Sequence, residues 1–300
     1  MGIAPTRILP EPDAAEAAPT DDAPRRAELR AFLMSRRARL HPADVGLPET
    51  ARRRTPGLRR EEVAQLAGLS TEWYTLFEMA KDTGVSRRTI DAVATALRLS
   101  PAEQRHLHVL VTGSAQAPLS SNEYVDPSLR DVLDGYQTGP AMLLNARMDV
   151  VAENALATAI FGNLAASAEF ERNWLYYLFS NHHHIDDWEE QARQLTATFR
   201  ATLCEHATDA AYSRLLEKLL ATSEAFRGFW EEHDVSVLDD VPPLKMQHPM
   251  YGPLHFRMRV LAQPGAANAF YCCFLIPDEG TAALPAFRQL REGLDLRVLA

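Results

Sequence analysis

The stretch that most constrains this chain runs from Leu58 to Ser100, LRREEVAQLAGLSTEWYTLFEMAKDTGVSRRTIDAVATALRLS. Val63, Ala64 and Ala67 give a first helix, starting near Arg59, a small apolar face. Gly68 follows, where a helix ends best on a residue that accepts the left-handed region. Leu69 is apolar and placed to plug the gap between two helices, and Ser70 is a good N-cap for a second helix running to about Lys81. Ala64, Gly68, Leu69, Tyr74 and Phe77 are spaced to let one short helix cross another steeply, the helix-turn-helix arrangement. A further helix over Ser86–Arg98 offers Ile90, Val93, Ala94 and Leu97 to the same core. Ser100-Pro101 with Glu103 starts the next, with proline at its first position.

This geometry predicts a chemistry. A helix lying in the major groove presents its N-terminal, outward residues to base edges. Here those are Thr71, Glu72, Trp73 and Thr75. Glutamate accepts from cytosine N4, and threonine touches a thymine methyl. Phosphate contacts fall to Arg59 and Arg60 at the start of the preceding helix, to Lys81, Arg87 and Arg88, and to Arg53 and Arg54 in the upstream loop. Tyr74 and Phe77 read as core and Glu78 as an internal hydrogen-bond partner. A basic helical bundle that binds only protein is the competing interpretation.

The overall charge of −9 argues against a polyanion ligand until it is divided along the chain. Residues 25–98 carry 15 Lys and Arg against 9 Asp and Glu, a balance of +6; residues 1–24 carry −4 and residues 99–300 carry −11. Such asymmetry fits one segment that meets nucleic acid and a remainder that does not.

With 300 residues the chain has room for two domains. Residues 1–24, rich in Ala, Pro and acids, read as a disordered tail. Leu29, Phe32, Leu33, Arg36 and Leu40 recur at helical spacing from about Ala27, with arginines on the other faces. Residues 25–113 form the first domain and residues 114–127 a linker. Residues 128–300 form a mixed domain with strands over AMLLN, DVVAEN, LKMQH, LHFRMRVLA and AFYCCFLI, and helices between Asn173 and Glu231. The expected class is therefore all-α followed by α+β. No apolar run approaches the roughly 20 residues of a bilayer span, the start lacks a secretory pattern, and the three cysteines make no disulfide framework. A cytoplasmic setting is expected.

The second half offers no catalytic constellation: no G-x-S-x-G, P-loop or Rossmann fingerprint occurs, and a non-enzyme without cofactor is expected. His182, His183 and His184 cannot share one face of an element, so a solvated loop is expected rather than a metal site. Cys272 and Cys273 sit in an apolar strand, which favours burial. A sheet covered by helices can enclose an apolar cavity. Its candidate lining is Phe161, Trp174, Tyr177, Leu178, Phe226, Trp230, Phe256, Met258 and Phe274, with Arg172 and Arg227 available to a carboxylate.

The segment RRTPGLRREEVAQLAGLSTEWYTLFE resembles the opening domain of Xre-type regulators of the MmyB-like group. The stretches DVVAEN, FERNWLYYLF, WEEQARQLTATFRA, FRGFWEEHDV and HPMYGPLHF resemble the same group's sensor domain, so the likeness spans about residues 25–285. The resemblance implies a lambda-repressor-like domain of five helices, then a PAS-like domain whose pocket holds a fatty acid or similar small molecule. Double-stranded DNA is the implied partner. A homodimer is expected, because one short helix reads few base pairs. The chain departs from the group's pattern at Leu76, usually arginine, at Met79-Ala80, usually Gln-Gly, and at Glu153, usually tryptophan.

Overall fold

A computed structural model describes residues 23–48, 57–81, 85–113, 125–206, 209–238, 241–262 and 270–298. The first 22 residues, most of the expected linker, and Arg53 and Arg54 lie outside the described residues.

The N-terminal half is helical: α1 (Ala23–Arg39), α2 (Arg60–Ala67), α3 (Thr71–Glu78), α4 (Arg87–Ala96) and α5 (Pro101–Thr112). Its punctuation follows the sequence. Gly68 ends α2 at φ 68°, and Ser70, Ser86 and Ser100 each accept a backbone N–H from the first turn of the helix they open. These bonds satisfy donors that a helix start leaves without partners. Two expectations shift. Helix α1 begins four residues earlier than its apolar period, and α3 ends at Glu78 rather than near Lys81, because Ala80 takes a positive φ of 52°. Phe32, Leu33, Leu58, Val63, Tyr74, Phe77, Ile90, Val93 and Leu107 close one core.

Two arginines of α1 are drawn inward: Arg36, which shares the spacing of the apolar set, and Arg37, which the sequence pattern put on another face. Both are buried. Arg37 Nε donates to Glu78 Oε1 at 2.6 Å and its Nη1 to the Leu58 carbonyl at 2.7 Å, while Arg60 donates to the other oxygen of Glu78. The Glu78 side chain is fully buried, so two cations and one carboxylate join α1, α2 and α3 at a single point. A buried charge persists only with such partners.

The C-terminal half is a six-stranded antiparallel sheet with helices. Its order is β2-β1-β6-β5-β4-β3, formed by β1 (Ala141–Leu144), β2 (Val150–Glu153), β3 (Ile185–Asp186), β4 (Leu244–His248), β5 (Gly252–Ala262) and β6 (Tyr271–Pro277). This is the expected PAS-like α+β arrangement, with the two-residue β3 as an edge strand that the sequence pattern did not reveal. Side chains alternate across a strand. Met142, Phe256, Met258, Cys273 and Leu275 therefore face the main core, shared with α7 (Ala155–Phe161), α8 (Trp174–Asn181), α9 (Trp188–Glu205), α10 (Ala210–Thr222) and α11 (Glu224–Glu231). Ala141, Leu143 and Cys272 face the other side, against Leu133 of α6 (Pro127–Gly135). Helices α12 (Glu279–Ala283) and α13 (Pro285–Val298) follow the sheet. Cys272 and Cys273 are both buried, as expected. His182–His184 form a 3-10 turn instead of a loop, and among the described residues no cluster of His, Cys, Asp and Glu could hold a metal. No described helix is long and apolar enough to cross a membrane.

The two halves touch through α1 and α5 on one side and α9 and the segment just after α11 on the other. Arg200 of α9, 1% exposed, donates to Glu28 of α1 at 2.5 Å. Arg36 and Arg39, in the last turns of α1, reach Asp234 at 3.5 and 2.5 Å. Cys204 and Val235 pack on the N-terminal core.

Candidate nucleic-acid interface and sensor core

Helix α3 has one buried face and one free face, and the free face is the candidate reading surface. Tyr74, Phe77 and Glu78 point inward. Thr71, Glu72, Leu76 and Met79 are exposed and Thr75 is half-exposed, which is the outward stripe that a 3.6-residue period gives. Thr71, Glu72 and Thr75 thus stand where the sequence placed them. The Thr75 hydroxyl donates to the Thr71 carbonyl at 2.7 Å, leaving its methyl free to face a ligand. Trp73 stands at the edge of this stripe. It is half-buried, as Thr75 is, and stacks on Phe77 with ring centroids 5.2 Å apart, which braces the helix.

Leu76 and Met79, 41% and 42% exposed, are members of this stripe that sequence reasoning left out. The signal was available: both follow from the helical period begun at Thr71.

A shallow depression beside the stripe is lined by Arg59, Arg60, Thr71 and Thr75. Here the N-terminal ends of α2 and α3 add their partial positive charge. Arg59 is half-exposed with Glu61 at 3.2 Å, and its backbone N–H donates to Glu62 at 2.6 Å. Arg60 is held by Glu78, which fixes its stem while 40% of the side chain stays open to solvent. On the far side, Lys81, Arg87 and Arg88 are exposed and form no ion pair among the described residues. Arg53 and Arg54 cannot be placed in this surface, since they lie outside the described residues.

The candidate sensor residues do not form one lining. Phe161, Trp174 and Tyr177 make an aromatic cluster: Phe161 meets Trp174 edge-on at 5.3 Å, and Trp174 stacks on Tyr177 at 5.3 Å, with Leu178 buried beside them. Phe226 stacks on Trp230 at 5.7 Å on α11, while Phe256 and Met258 are buried on the main-core face of the sheet. Phe274 lies on the opposite face, against Tyr136 at 5.1 Å, because it is one residue out of phase with Cys273 and Leu275. Arg172 approaches Asp149 at 3.5 Å, and Arg227 is exposed and donates to the Leu220 carbonyl. A cavity bounded by Tyr177, Ile160, Asn181, Met246 and His248 measures 80 Å³. That is well below the roughly 300–1,000 Å³ of ordinary ligand pockets. In this conformation the interior around the aromatic cluster is filled by its own side chains.

Glu153, where the resemblance leads one to expect tryptophan, is buried at the end of β2 and accepts from the Thr158 hydroxyl at 3.1 Å. Burial raises its carboxyl above the ordinary value. Next to it, Asn154 caps α7 and bonds Ala141, Tyr136 and Gly139, tying the β1–β2 pair to the segment that precedes it.

A helix-turn-helix whose second helix turns a free face outward between the flanking cations Arg59, Arg60 and Lys81, joined to an α+β domain, defines a two-domain DNA-binding transcription regulator. Comparison with known families agrees. Residues 28–107 match a helix-turn-helix domain, and residues 125–290 match the MmyB-like transcription regulator ligand binding domain. The latter covers more than half of the chain, which belongs to that family. Among curated proteins none matches significantly.

Proposed function

We propose that this regulator reads duplex DNA sequence-specifically with α3 in the major groove, as a cytoplasmic Xre-type homodimer without catalytic activity, and that a small apolar, fatty-acid-like ligand in the C-terminal domain controls it. The observation that carries the DNA reading is the outward stripe Thr71, Glu72, Thr75, Leu76 and Met79, flanked by Arg59 and Arg60 at one end and by Lys81 at the other. Glu72 suits cytosine N4, while Thr75, Leu76 and Met79 suit thymine methyls. Two such helices on one dimer would read two half-sites about one helical turn apart. The ligand reading is supported by the family match, and a ligand would enter by displacing the Phe161–Trp174–Tyr177 cluster from its closed packing.

The exposed apolar side chains Leu66, Leu76 and Met79 also suit a protein partner, which keeps an interaction module as the second reading. Fluorescence anisotropy decides between them, using DNA from upstream of the protein's own gene and a scrambled duplex at two salt concentrations. Tight, salt-sensitive binding with preference for the native sequence is expected. Equal, weak binding to both would overturn sequence-specific reading and favour the interaction module.

A further inference from the structure

Where the N-terminal domain meets the sensor helices, a cavity of about 370 Å³ opens to solvent on one side. Pro24 and Glu28 of α1 form one wall, Leu203 and Cys204 of α9 the floor, and Leu216 of α10 and Trp230 of α11 the rest. Its volume falls in the range of ordinary small-molecule sites, roughly 300–1,000 Å³. It is several times larger than the 80 Å³ space beside Tyr177.

The charges buried in this cavity are already matched. Arg200 donates to Glu28 and to the Trp230 carbonyl, and its guanidinium lies 3.7 Å from the centroid of the Trp230 ring. Burial alone would raise the Glu28 carboxyl, but His233 and Arg200 outweigh it and hold the group at about 2. The Cys204 thiol is pushed up to about 12 by burial and stays protonated. A charged group seated beside them would therefore find no unmatched counter-charge and would lose its hydration without compensation; the Glu217 carboxylate stands at the exposed rim, where water screens it. Apart from Arg25, Ser213 and Glu217, the remaining surface is the apolar flank of Leu203, Leu216, Cys204 and Pro24.

We propose that this interdomain cavity is an effector site for an uncharged, largely apolar small molecule, distinct from the sheet-side interior. Its walls come from both domains, so a ligand seated there stabilises this placement of the sensor helices on α1 over any other. Helix α1 also carries Arg37, whose bond to Glu78 reaches the DNA-reading helix α3. Occupancy thereby changes DNA affinity, a consequence that rests on the regulator reading above.

The test uses the full chain and N-phenyl-1-naphthylamine, an uncharged dye that brightens in apolar sites. Saturable one-to-one binding is expected. Ser213→Phe, at an exposed position on the cavity rim, should weaken it about tenfold or more. Should that variant fail to fold, Glu217→Phe, also exposed on the rim, serves instead. Absence of saturable binding, or binding within about twofold of wild type in the plugged variant, overturns the site. So does binding that survives the plug but is lost in Tyr177→Trp, which would place the dye in the sheet-side interior. In the DNA arm, the dye should shift the affinity of wild type for its upstream duplex and leave the plugged variant unchanged. Dye binding that the plug abolishes, with no DNA binding by either protein, would retain the cavity site and reject the regulator reading. Normal DNA binding that never responds to the dye would reject the coupling.

Discussion

Replacing Glu78 by alanine should loosen the whole DNA-binding domain, although the residue faces away from DNA. Its carboxylate is fully buried and is the partner of both Arg37 and Arg60. Arg60 is 40% exposed and can turn to water once released. Arg37, with 10% of its side chain exposed, cannot; it keeps only the Leu58 carbonyl for a charge that carried two carboxylate contacts. Removing one partner of a buried pair typically costs about 3–5 kcal/mol, because the other charge is left without compensation. For a domain of ordinary stability, about 5–15 kcal/mol in total, that is a large fraction. In urea the N-terminal transition should move to markedly lower denaturant, with the sensor domain's transition little changed. DNA affinity should fall with it, since α3 loses its anchor to α1. Joint replacement Arg37→Met, Glu78→Leu should recover much of the loss, because an apolar pair needs no counter-charge. A loss below about 1 kcal/mol in Glu78→Ala would refute the reasoning and mean that water reaches the pair.

Other outcomes follow from the same structure. His106 is buried edge-on to Phe32 at 5.0 Å, neither ring nitrogen has a hydrogen-bond partner among the described residues, and burial lowers it to about 4. Between about pH 4 and 6.5 the unfolded chain binds a proton there that the folded chain does not, so stability falls as pH falls through that window, by about 3 kcal/mol in all. His106→Phe should flatten that slope in pH-dependent urea titrations; an unchanged slope would exclude His106 as its source. Arg59→Ala and Arg88→Ala should weaken binding to every duplex and reduce the salt slope by roughly 1 each, whereas Glu72→Ala and Leu76→Ala should change sequence preference by about 1–3 kcal/mol per base pair. Selection from a random duplex library would separate the two classes; uniform loss in Glu72→Ala would remove it from the reading surface. Gly57 sits at φ 76°, and an added Cβ would lie 2.4 Å from the Arg37 carbonyl oxygen. Gly57→Ala should therefore lower the N-terminal melting temperature by several degrees, from a loss of more than about 1 kcal/mol; unaltered melting would show that the loop shifts freely.

The sequence by itself determined the local grammar of this protein. Gly68, Ser70, Ser86 and Ser100-Pro101 mark helix ends through bonds made within a few residues, and such bonds need no tertiary context. The outward stripe of α3 was legible for the same reason, through a period of 3.6 residues. Applied one turn further, that period would also have included Leu76 and Met79 and set Trp73 at their edge. What only the tertiary structure decided is which distant groups meet. Arg37 and Arg60 pair with Glu78 across gaps of 41 and 18 residues, and Arg200 pairs with Glu28 across 172. Glu78 was legible as an internal hydrogen-bond partner, but which cations it meets was not. Phe274 likewise looked like a pocket residue until the sheet register put it on the opposite face from Phe256 and Met258. The interdomain cavity was invisible in the sequence because its walls come from α1, α9, α10 and α11. Local bonds are encoded within a few residues, but packing between elements depends on where the whole chain places them.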